Sequence, residues 1–527
     1  MQTAIWDRAD PSRGKVLRDP LAVSGLSRLS CALAAGALWL LASGAAQAQS
    51  QNPSLSGARQ PQAALQQPLA FPANPYAVTL RADQMELLGR VLAEAPTHGF
   101  EPGAYSPDQA LALLASRDVN ARRTGQGQLI GLTLAYAKAV RSGRLPLTSF
   151  RTDWGLRPAV YDPSLEFVQA VAQDRLGPWL DTLPPPYTGY QTLRRGLVTY
   201  RDIAARGGWA MLPAGPDLKQ GSTDPRVVAL EARLAVEDPT VAVDGVALFD
   251  EALTQALMRA QKRFGLNPTG VLDKKTLSSL NTPVELRLDQ ILANMERWRW
   301  LPQVLPADRI QVNIAAAVLS VFHHDAPTLT MRAVTGRPGD ETPMLQSNIH
   351  SIVLNPPWNV PSSIAAKELW PKERANPGYF ARNDFIVIPT EGGGSRLQQK
   401  AGPKAALGLI KFDFNNPYGV YLHDTPSRAR FASFSRLASH GCVRVEKPVD
   451  LARAVMEGDA TWTPEVIDET IAGGKTVRAQ LPQQIAVFLL YWTAYVTPDG
   501  QVNFREDPYG WDKLLVQRIA AALSGSA

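Results

Sequence analysis

The hydrophobic period of this chain changes once, at Arg309. Before it, apolar residues recur three and four apart: Met85, Leu88, Val91 and Leu92 mark one face, and Leu111, Leu113 and Leu114 open another. After it, "RIQVNI" alternates Ile310, Val312 and Ile314, while "VLSVFHH" and "LTMRAVTG" carry apolar and β-branched runs. Helical segments followed by strand segments, rather than the two interleaved, predict a multidomain α+β protein with a β-rich second half.

The N-terminus reads as an address. Arg8, Arg13, Lys15, Arg18 and Arg28 precede the apolar run from Leu29 to Leu41, which at 13 residues is too short to cross a bilayer. Ala46-Gln47-Ala48 follows as a small-x-small cleavage site, so residues 1–48 are expected to be a signal peptide and the mature chain to reside in the periplasm. Residues 49–70, rich in Gln, Pro, Ser and Ala, are expected to form a flexible linker. The later run Ile485 to Val496 is also too short to span a membrane and reads as a core strand.

The remaining 527 − 48 = 479 residues predict roughly three domains. Composition, 45% hydrophobic and 19% charged, suffices for buried cores. The formal charge of +6 falls to +4 once the leader's five basic and three acidic residues are removed, a mild excess that favours an anionic partner and lacks the basic stripe of a nucleic-acid binder.

Residues 71–215 are predicted to be a helical scaffold domain, in which His98 of "PTHGF" stands without partners and reads as structural. A second unit, 216–285, places Val227, Leu230 and Leu234 on one helix face and Leu253, Leu257, Ala260 and Phe264 on the next, which stops at Gly265. Pro268 and Gly270 mark a turn before a third short helix. Through Arg226-Val227, Leu230, Gln261, Gly265-Leu266, Thr269-Gly270-Val271 and Thr276-Leu277 this unit resembles the peptidoglycan-binding domain 1 family, a small three-helix module. The β-rich part, 300–480, is interrupted over about 362–410 by Pro, Gly and Lys, an insertion; 481–527 is taken as its C-terminal extension.

Loss of the leader removes Cys31 and leaves Cys442 as a lone thiol in an oxidising compartment. In "YLHDTP" strand alternation puts Tyr421 and His423 on one side; "SHGCVR" then sets Cys442 beside His440 and Arg444. An adjacent imidazolium is expected to lower the thiol's pKa, making a nucleophile for a carbonyl, with Gly441 freeing nearby amides to meet the oxyanion. Arg428, Arg430, Arg436 and Arg444 are candidate carboxylate holders. A structural zinc takes four ligands and the cluster offers three, so no metal is expected. These residues alone do not choose between His423 and His440 as base.

The pair of motifs, Tyr421 to Pro426 and Ser439 to Arg444, resembles the YkuD-type L,D-transpeptidase catalytic domain, and the chain order resembles its large YcbB-like subfamily with a capping insertion. The resemblance implies Cys442 as nucleophile, His423 as base oriented by the main-chain carbonyl of Asp424, His440 as support, and Arg444, Gly441, Ser439, Tyr421, Trp358 and Asn355 around the substrate. Asp424 stands where many members have glycine. It further implies 3→3 cross-linking of peptidoglycan stems through a cysteine thioester without cofactor or metal, with peptide stems, glycan and other cell-wall synthesis proteins as partners. An L,D-carboxypeptidase using the same residues, or a non-catalytic wall-binding protein, are the alternatives.

Overall fold

The computed structural model describes residues 74–497 and 499–524. The expected signal peptide and most of the linker lie outside them.

The first part is helical. Its longest helix, Val119–Ser142, starts where the Asp118 carboxylate accepts the Asn120 N–H and ends at Gly143, φ 86°. A Cβ at Gly143 would meet Glu296 Oε1 at 2.4 Å, so glycine is required twice over. Glu296, on helix Val284–Trp298, is fully buried and accepts the N–H groups of Arg144 (2.5 Å) and Leu145 (3.2 Å). Burial opposes its charge, but Arg299 at 2.7 Å and Arg144 at 3.5 Å outweigh that and hold the carboxyl below its usual range. His98 is buried with Nδ1 2.9 Å from the Tyr190 hydroxyl and kept neutral by burial, which accords with a structural histidine.

The small unit comprises helices Arg226–Ala235, Glu251–Arg263 and Lys274–Leu280, the last two capped by Asp250 and Asp273 at 2.7 Å. Its hub is buried Gln261, whose amide reaches Gly270 N, Val271 O and the hydroxyls of Thr269 and Thr276 within 3.2 Å. The motif residues thus hold the turn to the helices.

The strands are β1 Arg309–Asn313, β2 Val318–His323, β3 Ala326–Gly336, β4 Leu345–Leu354, β5 Trp358–Asn359, β6 Phe385–Pro389, β7 Ser395–Gln399, β8 Ile410–Phe414, β9 Leu422–His423, β10 Leu437–Ser439, β11 Val443–Val445, β12 Val477–Leu490, β13 Ala494–Val496 and β14 Val502–Phe504. The main sheet runs β10-β3-β11-β9-β8-β4-β12-β1-β2, and β2 also pairs with β3, so the pairing closes on itself. β12 sits between β4 and β1, antiparallel to one and parallel to the other. The border drawn after residue 480 therefore cuts a central strand: the last segment supplies sheet, with Ile485 to Leu490 paired as expected of a core strand. β5, just before the insertion, joins β7 and β6 of the insertion in a separate small sheet, with an apolar cluster of Val360, Ala365, Leu369, Phe380, Phe385 and Leu397. A single larger core extends from Leu145 through the three-helix unit to Ile519, joining what length and periodicity suggested as separate domains. No helix among the described residues is long and apolar enough to cross a membrane.

Candidate active site

β9 and β11 run parallel with Leu422 opposite Val443 and His423 opposite Arg444, and the Val443 N–H donates to Tyr421 O at 3.1 Å. Alternation then sets Tyr421 and His423 on the same face as Arg444 and, one step before the strand, Cys442. The other neighbour, β8, places Lys411 opposite His423, so it shares that face; its Nζ lies 4.3 Å from the Tyr421 ring centroid. The rings of Tyr421 and His423 meet edge to face at 5.6 Å.

His423 is buried, and its Nδ1 lies 2.5 Å from the Asp424 carbonyl oxygen. A carbonyl only accepts, so Nδ1 carries the hydrogen and Nε2 keeps a lone pair. Burial, followed by the cations Arg444 and Lys411, pushes His423 down to about 3, against the backbone oxygens of Asp424 and Leu407 that favour its charged form. Burial likewise pushes the Cys442 thiol up, more than hydrogen bonds from Tyr421 and the charges of Lys411 and Arg444 lower it. Both shifts run against the expected thiolate–imidazolium pair and favour a neutral thiol and a neutral base: burial disfavours charge on each group, and the surrounding cations oppose a second positive charge.

The Cys442 loop is fixed from within. Gly441 has φ 106°, where a side chain is strained. Its N–H donates to Ser439 Oγ at 3.2 Å, Ser439 Oγ donates to Cys442 O at 2.5 Å, and Thr342 Oγ1 donates to Gly441 O at 2.8 Å. The Cys442 N–H has no hydrogen-bond partner among the described residues. Ser439, 2% exposed, spends its hydroxyl on the loop instead of facing a ligand.

Of the other expected residues, Trp358 on β5 lies close enough to Tyr421 to act on its hydroxyl, lowering a pKa that burial raises. Asn355 is not at the face: at φ 48° and buried, its amide donates to the carbonyls of Thr470, Ile471 and Lys475, tying helix Pro464–Ala472 to β4. Arg428 pairs with Asp424 at 2.9 Å and with the Glu446 carbonyl, and Arg436 donates to Ala316 O at 2.9 Å, so both serve the fold. Arg444 differs, because its Nε is buried and without a partner among the described residues. Asp424 accepts Leu409 N–H at 2.8 Å and thereby anchors the insertion's exit to the base. His440 Nε2 lies 2.6 Å from Glu368 Oε1 of the insertion.

Sequence reasoning missed Lys411 and Glu368. In "IKFDF" nothing distinguishes the lysine, and only the β8–β9 register brings it to His423. Asp308, His323 and His324 gather donor atoms within 4.8 Å, but all three are exposed and Asp308 Oδ1 already accepts the His324 N–H at 2.9 Å.

Three family models match the chain. Residues 307–467 match the L,D-transpeptidase catalytic domain (YkuD), 223–280 a putative peptidoglycan binding domain, and 77–197 a scaffold domain. A putative L,D-transpeptidase of Haemophilus influenzae is 32% identical over 263 residues, 46% of this chain and 53% of the relative, so the chain spans about half the length of that curated relative. Among solved structures, an L,D-transpeptidase (Yku) from Stackebrandtia nassauensis is 15% identical, covering 53% of this chain and 97% of its own, with TM-score 0.21. The catalytic domain of the E. faecium L,D-transpeptidase acylated by ertapenem is 11% identical, covering 36% and 99%, with TM-score 0.18.

Proposed function

We infer that this chain, which carries an L,D-transpeptidase catalytic domain and a peptidoglycan-binding module, forms 3→3 cross-links between peptidoglycan peptide stems in the periplasm. The observation that carries the reading is the shared face of Cys442, His423, Tyr421 and Arg444 on two adjacent strands.

His423 Nε2 takes the Cys442 proton as sulfur attacks the carbonyl of the third, diamino acid residue of a donor tetrapeptide. Attack draws the proton off a neutral thiol, so no standing thiolate is needed. The Cys442 N–H, without a hydrogen-bond partner among the described residues, supports a role as donor to the oxyanion. The imidazolium returns its proton to the departing amine, terminal D-alanine leaves, and the thioester remains. A side-chain amine of a second stem attacks the thioester, gives its proton to His423, and releases the thiol. Arg444, a half-buried cation with unspent donors, suits a carboxylate of the stem peptide. Tyr421, on the same face as the thiol, favours its ionised form against burial, and so do the charges of Lys411 and Arg444.

Incubation with disaccharide-tetrapeptide tests this by mass spectrometry. Cross-linked dimers lacking one D-alanine support transpeptidation; tripeptide monomers alone would indicate that water resolves the thioester.

A further inference from the structure

We propose that Glu368, carried on the capping insertion, is a positioning residue that clamps His440 and so holds the Cys442 loop in its reactive geometry. The proposal rests on Cys442 being the reacting group.

Glu368 Oε1 accepts from His440 Nε2 at 2.6 Å and from Arg337 Nη2 at 3.3 Å. Those two donors, His440 first, hold the carboxyl below its usual range. Arg337 belongs to the same assembly: its main-chain N–H donates to Ser439 O at 3.0 Å, and its guanidinium also binds Asp340 at 2.7 Å. One carboxylate from the insertion therefore meets His440 directly and, through Arg337, the main chain at Ser439.

The inner side of that segment is tied by Ser439 and Thr342, as described above, but these bonds come from the sheet domain. The His440 side chain instead donates to Glu368 of the insertion. Glu368 is a firm mount because its neighbours Ala365 and Leu369 are buried in the insertion's apolar cluster, 6% and 5% exposed. Ala365–Leu369 forms a π-helical turn, a rare form that recurs at functional sites. With Glu368 and His440 both about one-third exposed, the pair contributes little to folding, and its consequence lies in where it fixes the loop.

A double-mutant cycle of Glu368→Gln and His440→Asn tests this on the full chain. The readouts are amide hydrogen exchange over residues 436–445, Cys442 alkylation by iodoacetamide, and steady-state cross-linking of disaccharide-tetrapeptide. Each single variant is expected to speed exchange in that segment alone and to hasten alkylation. Each should also lower kcat about tenfold with KM within about twofold, and the double variant should be no worse than either single one. Arg337→Gln, removing the second donor, should give an intermediate effect. Unchanged exchange and kcat in Glu368→Gln, or effects that add fully in the double variant, would overturn the clamp. Exchange and alkylation do not require transpeptidation, so a coupled cycle in a protein that forms no dimers would sink the proposed function and leave the clamp standing.

Discussion

His423 donates its Nδ1–H to the carbonyl of Asp424 at 2.5 Å. That bond selects the tautomer with a free Nε2, and burial with Arg444 and Lys411 nearby keeps the ring neutral.

The acid limb of activity should accordingly lie low. With His423 down at about 3, the base form persists across pH 5–8, and Cys442 acylation should decline only toward pH 4 and below, where an unperturbed histidine would fail near 6.5. Because Cys442 is raised, alkylation by iodoacetamide should climb with pH beyond 9. Rates measured from pH 3 to 10 check both; a half-maximal acylation rate near pH 6.5 contradicts the neutral pair.

The same shift has a stability consequence. The folded protein binds the His423 proton more weakly than the unfolded chain does, so stability is full above 6.5 and falls as pH drops toward about 3. Between pH 6.5 and 5 the loss from this group is about 2 kcal/mol. Urea unfolding of wild type and His423→Asn at both pH values should show a smaller acid loss in the variant.

Gly408 stands at φ 60°, and a Cβ there would meet Asp424 Oδ2 at 2.3 Å. Gly408→Ala should destabilise the protein by about 1–3 kcal/mol in urea titration and slow acylation, because Asp424 also carries the carbonyl that orients His423.

Glu296→Gln should cost about 3–5 kcal/mol, since it leaves the buried Arg299 guanidinium without its carboxylate at the junction of the scaffold helices and helix Val284–Trp298. Thermal unfolding measures it, with His423 chemistry unaffected at temperatures where the variant stays folded.

Arg444→Met should raise KM for tetrapeptide about tenfold or more and leave Cys442 alkylation by neutral iodoacetamide within about twofold. Equal loss in both assays would assign the arginine to packing.

The order of helical and β-rich parts was legible because periodicity records which face is buried, as at Leu88 and Leu92 or at Ile310 and Val312. That Cys442 and His423 belong to adjacent strand ends was legible because both sit in short motifs there. Protonation was not: it depends on burial and on Lys411 and Arg444, which only strand register brings together. Asn355 looked like a cleft residue beside Trp358, yet its positive φ turns the amide toward Thr470 and Ile471. Ser439 gave no sign that its hydroxyl would close its own loop.

The central claim, that Cys442 is acylated with His423 as its base, is tested most directly by intact-protein mass spectrometry with peptide mapping after exposure to a carbapenem. Wild type should gain a single adduct on Cys442, and Cys442→Ala none. In His423→Ala adduct formation should slow by about a hundredfold or more. No adduct on the wild type, or acylation at full rate without His423, would contradict the account.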